Sequence, residues 1–141
     1  MPAVTVPARP ASRWNLPLWV AQVFLAAMFA IAGFLKISQS PEAMAAMGWH
    51  WALSMPPAFI VTLGVLELLG AIGIILPALT RILPLLTPAA AAGMVLTQLG
   101  AIALHASRGE TAETIWFNLL LLAAALFVLW GRTRKAPISP R

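Results

Sequence analysis

Apolar residues run almost unbroken through four stretches of this chain, and the roughly 30 Å hydrocarbon core of a bilayer takes about 20 such residues in a helix. The first stretch extends from about Pro17 to Ile37, the second from about Pro56 to Ala78, the third from about Pro84 to Ala106 and the fourth from about Thr114 to Trp130. Pro17, Pro56, Pro57 and Pro84 stand where these helices begin, a position at which a missing N–H costs no hydrogen bond. The pattern predicts an all-α integral membrane protein, a single domain over residues 1–141 built as a four-transmembrane-helix bundle. Between spans 1 and 2, the segment from Ser40 to Leu53 is too short to cross. Ser40 as a cap and Pro41 in the first turn predict a short amphipathic helix, followed by Trp49 and Trp51. It is expected to lie in the membrane interface, where Trp is enriched, as an anchor or, in the functional alternative, as a lid over a pocket. The tails, 1–13 and 131–141, hold Pro, Ser and basic residues without apolar periodicity and are expected to be flexible.

Composition supports lipid as the solvent. Hydrophobic residues make up 61% of the 141 positions and charged residues only 9%, more apolar surface than a soluble particle of this size can hide. The formal net charge of +5 does not indicate nucleic acid, because most basic residues sit in the tails instead of on a wetted face with aromatic or polar neighbours. The absence of cysteine excludes disulfides and thiol exchange from this chain's chemistry.

The basic residues set the orientation. Arg9, Arg13, Arg81, Arg132, Arg134, Lys135 and Arg141 fall on one side of the four spans, and Lys36 and Arg108 on the other with Glu42, Glu110 and Glu113. Cytoplasmic segments are enriched in Lys and Arg, so both termini are expected in the cytoplasm. The first span also has features of a signal peptide, but its apolar run continues to Ile37, longer than an h-region, and it is read as retained.

An ionisable side chain within a span is a functional candidate by default. Glu67 lies roughly 16 Å inside the outer boundary at 1.5 Å per residue, beside Gly64, Gly70 and Ala71, small residues of the kind that mark helix contacts. Gln98 reaches a similar depth, His105 follows it two turns later on the same face, Asn118 sits about a turn inside span 4, and Lys36 closes span 1. Four helices thus direct polar groups toward the outer half of the bundle, a candidate pocket. A direct Lys36–Glu67 contact has to close a vertical gap of about 10 to 13 Å on this ruler; otherwise water or a ligand lies between them. The inner half reads as plain packing. No metal site is expected: His50 and His105 are the only histidines, and Glu-x-x-His pairs and thiolates are missing.

Ala32-Gly33-Phe34-Leu35-Lys36 at the end of span 1, Glu67-Leu68-Leu69-Gly70-Ala71-Ile72-Gly73-Ile74-Ile75-Leu76-Pro77 in span 2, and the amphipathic segment with Gly48 between them resemble the DoxX-like family of small bacterial membrane proteins. The similarity covers nearly all of the chain between Leu18 and Arg132, and Gly33, Lys36, Glu67, Gly70 and Pro77 match its motif. It implies a four-helix fold in the bacterial cytoplasmic (inner) membrane and, for some members, association with oxidoreductase systems, including a quinone-linked one. Other relatives are similar to membrane chaperones and cargo receptors, so fold alone does not settle function.

The first expectation is therefore a membrane subunit of a redox system, with Glu67, Lys36 and His105 as the reactive groups. Gln98, Asn118, Trp49 and Trp51 contact a quinone or other lipophilic small molecule, and the chain holds no intrinsic cofactor. The alternatives are a non-enzymatic scaffold, chaperone or lipid-binding module, and a small transporter. The expected partners are membrane lipid, a redox partner protein and a second copy of the chain in a homo-oligomer.

Overall fold

In the computed structural model, which describes residues 11–141, four long helices form the bundle. They are α1 (Asn15–Ser38), α3 (Pro57–Thr80), α4 (Leu86–Ser107) and α5 (Thr111–Trp130), with a short α2 (Pro41–Ala46) and a 3-10 turn, His50–Ser54, between α1 and α3. All four long helices are apolar and long enough to span a membrane. The expected loose segment up to residue 10, with Arg9, lies outside the described residues.

Each helix reads its start from the sequence. Ser40 Oγ accepts the Ala43 N–H at 3.1 Å and Pro41 follows it in the first turn of α2, so one of the orphan donors of this short helix is satisfied. Pro57 opens α3. α4 begins at Leu86, two residues beyond Pro84, with Pro88 in its first turn. Pro77 lies inside α3, where it removes the ladder bond to the Gly73 carbonyl.

The helices form a ring in the order α1, α3, α4, α5, with α1 packed chiefly on α3 and α4 on α5. Half of the bundle, next to the chain termini, is solid. Leu25, Phe29, Ala71, Ile74, Ala91, Met94, Leu121, Ala125 and Val128 form its core. Small residues set the helix spacing here: a Cβ at Gly73 would stand 3.2 Å from that of Ala90, and one at Gly70 3.5 Å from Met94. Beyond this level α3 and α4 both line a cavity. A smaller core of Met44, Trp51, Ala52 and Ile60 holds the α2 segment against the first turns of α3.

Two features of the terminal half differ from the sequence reading. It is not plain packing, because Gln22 is wholly buried. Its Nε2 donates to the Ile74 carbonyl at 2.6 Å and its Oε1 accepts from Arg132 Nε at 2.7 Å. Nor does the chain turn irregular at residue 131. α5 continues into a π-helical turn, Gly131–Lys135, and Arg132 Nη1 donates to Asn15 Oδ1 at 2.9 Å and to the Ala136 carbonyl at 3.2 Å. Arg81 holds the last residues through the carbonyls of Ser139 and Pro140. The physical reason is shared: a guanidinium offers five donors, and in an apolar bundle the carbonyls and amides near it are its available partners.

Gln22, Asn15 and Arg132 thus tie α1, α3 and the end of α5 together. Arg132→Leu leaves Gln22 Oε1 buried without a donor, and the expected cost is about 1–3 kcal/mol. Thermal unfolding in detergent checks this, with Thr133→Ala as an exposed control.

Candidate functional site

The half of the bundle away from the termini is hollow. Its cavity, of about 510 Å³, is walled by all four long helices and by the segment between α1 and α3. That volume is in the range of small-molecule sites. Every site residue singled out in the sequence lines it: Lys36 from α1, Trp49 and Trp51 from the short segment, Glu67 from α3, Gln98 and His105 from α4, and Asn118 from α5. Leu63, Leu104, Phe117 and Leu121 supply apolar wall between them.

Lys36 and Glu67 meet directly. Nζ donates to Oε2 at 2.8 Å and to Oε1 at 3.1 Å, with both residues buried. The vertical gap expected between them is absent because the helix ends are staggered. A Cβ on Gly64 would lie 2.9 Å from Lys36 Cβ, so Gly64, seven residues into α3, is level with a residue near the end of α1. α3 therefore extends about 7 Å past α1, and the α2 segment fills the step.

The two glycines of this contact have a specific task. Cβ atoms on Gly33 and Gly64 would each stand under 3 Å from the other glycine's carbonyl oxygen. Only the loss of both side chains lets the backbones approach closely enough for the ammonium to reach the carboxylate.

The short segment does more than anchor. Gly48 has φ +97°, a backbone conformation that glycine adopts without strain, and the chain turns there so that Trp49 and Trp51 face inward. Their rings are stacked, 6.4 Å apart between centroids, and the Lys36 ammonium lies 4.8 Å from the first and 5.9 Å from the second. Those are cation–π distances. The ammonium is thus held by the carboxylate and two indoles.

His105 stands at the rim. Its Nδ1 is 3.1 Å from Glu110 Oε2, Arg108 Nε donates to Glu110 Oε1 at 2.9 Å, and Arg108 Nη1 donates to Ser54 Oγ at 2.8 Å. The hydrogen bonds from His105 and then Arg108 hold the Glu110 carboxyl below its ordinary value. This network ties the α4–α5 turn to the end of the short segment.

Gln98 and Asn118 are each more than nine-tenths buried. Among the described residues neither carboxamide has a hydrogen-bond partner, and Gln98 Oε1 is fully enclosed. His50 is exposed and outside the cavity wall, and no cluster of three metal-ligating side chains occurs among the described residues.

The residues that the sequence reading did not single out are Gln22, Arg132 and Asn15 at the far end. Gln22 had a visible signal: it interrupts an apolar run on the same helical face as Leu18, Leu25 and Phe29, all of them buried.

A ring of four membrane-spanning helices, closed by polar bonds at one end and enclosing a cavity with a buried ion pair at the other, defines a small multi-pass membrane protein with an internal site. The model of the DoxX-like family matches residues 20–128, and the chain belongs to that family. No curated protein and no solved structure matches it.

Proposed function

We propose that this protein is the membrane subunit of a redox system and that its cavity takes a quinone or a comparable lipophilic molecule. The observation that carries this reading is the joining of one ion pair and two unpartnered carboxamides, all buried, to an otherwise mainly apolar cavity of about 510 Å³. An apolar cavity with a few convergent polar groups binds a molecule with a lipophilic body and a small polar head.

In this reading Glu67 accepts or releases the proton that accompanies reduction or oxidation of the head group, and Lys36 stabilises its charged form. Gln98 and Asn118 position the head group, His105 relays protons at the rim, and Trp49 and Trp51 supply flat apolar contact. Arg13, Arg81, Arg132, Arg134, Lys135 and Arg141 gather at the terminal end, which supports cytoplasmic termini and a cavity in the outer leaflet of a bacterial inner membrane.

Glu67→Gln keeps the shape of the side chain and removes the exchangeable proton. Turnover in a reconstituted quinone assay is expected to fall by about 100-fold or more; full turnover would sink the acid–base role.

One observation favours a second reading, a non-enzymatic scaffold. Both Glu67 oxygens already accept from Lys36, and such a pair can serve as a fixed tie between α1 and α3. Glu67→Gln would then alter retention of a partner protein on gentle purification and leave quinone turnover undefined by this chain.

A further inference from the structure

The charges in the cavity are spent on one another. Lys36 is neutralised by Glu67 at 2.8 Å, and at the rim Glu110 is bonded to both His105 and Arg108. Glu113, exposed on the α5 side of the cavity wall, adds negative charge there. Among the described residues an anionic head would meet no unpaired cation on the cavity wall and a carboxylate, Glu113, near the rim. A cationic head would compete with Lys36 for a carboxylate that already has both oxygens engaged.

Gln98 and Asn118 line the cavity from two adjacent helices, and neither carboxamide has a partner among the described residues; Gln98 Oε1 is fully enclosed, whereas Gln98 Nε2 and both polar atoms of Asn118 are not. A buried polar group left unpaired is costly and calls for an explanation. Each carboxamide combines an acceptor oxygen with a donor nitrogen. The head group that satisfies such a pair must donate as well as accept. A carbonyl only accepts, whereas a hydroxyl does both from one atom.

Building on the reading of the cavity as a ligand site, we propose that Gln98 and Asn118 form its recognition pair, and that this pair selects an uncharged hydroxyl-bearing head, a hydroquinone or another lipophilic phenol or alcohol, over a quinone, a carboxylate or an ammonium. Glu67 and Lys36 are bystanders to that choice. Exchange of oxygen and nitrogen within Asn118 leaves the requirement unchanged, because neither of its polar atoms is enclosed and both kinds still need a partner.

The full chain in lipid nanodiscs, compared with empty discs, is titrated with four probes that share a ten-carbon tail: a hydroquinone, the matching quinone, decanoate and decylammonium. Native mass spectrometry gives the bound fraction. The hydroquinone is expected to bind about tenfold more tightly than each of the other three, the difference that one satisfied buried hydrogen bond makes. Asn118→Leu and Gln98→Met should each weaken the hydroquinone about tenfold and abolish the ranking. Asn118→Ser, which keeps a donor and acceptor, should preserve it and guards against a general packing defect.

Equal binding of decanoate or decylammonium would overturn the proposal, as would an unchanged ranking in Asn118→Leu and Gln98→Met, or no binding of any probe. Equal binding of the quinone would overturn the need for a ligand donor while leaving the quinone-site reading standing. The converse is also separable: Glu67→Gln with full turnover and an intact ranking removes the acid–base role alone.

Discussion

Lys36→Met is expected to destabilise the protein by about 3–5 kcal/mol, the cost of leaving one member of a buried pair without its counter-charge. The ammonium makes two contacts to Glu67, at 2.8 and 3.1 Å, and lies over the Trp49 ring at 4.8 Å. Its loss removes the compensation for the carboxylate and one of the ties between α1 and the short segment. The double substitution Lys36→Met/Glu67→Gln removes both charges and should recover most of the loss, since replacing a whole buried pair is often close to neutral. Denaturant or thermal unfolding in detergent of the two single variants and the double variant completes a cycle. If the single variant matched the parent chain, the pair would be no tie.

The second large effect belongs to Gly33. A Cβ there would sit 2.6 Å from the Gly64 carbonyl oxygen and 3.1 Å from the Leu68 N and Cγ. Backbone atoms cannot swing aside as a side-chain end can, so Gly33→Ala must separate α1 from α3. Overpacking of this kind costs typically about 1–3 kcal/mol. It also shifts Lys36, one turn along the same helix, away from Glu67. Gly33→Ala is therefore expected to lower the unfolding temperature and to shrink the penalty of a subsequent Lys36→Met. Gly93→Ala is the control, because a Cβ at Gly93 meets nothing within 4 Å. An unaltered melting curve for Gly33→Ala would show that the close approach carries no weight.

The four spans and the grouping of polar residues were legible in the sequence because lipid imposes a simple rule on long apolar helices. Glu67 and Lys36 stood out for the same reason. Their direct contact was not legible, since depth counted from each helix end assumes that the ends are level, and the α2 segment makes them uneven. The inward turn of Trp49 and Trp51 depends on the backbone at Gly48, which interfacial enrichment of Trp does not address. The sequence groups Arg132 with the tail because no apolar periodicity sets it apart from Arg134 and Lys135, which are exposed; only the three-dimensional position of Gln22 distinguishes it from them.

The polar bonds of Gln22 and Arg132 make the bundle resemble a pair of forceps. The arms are α1 with α3 and α4 with α5, joined at the terminal end and lining the cavity at the other. Across the open end, a hydrogen bond from Arg108 to Ser54 runs between the arms' loops. Parting of the tips would break the Arg108–Ser54 bond and leave the packing of the solid core intact.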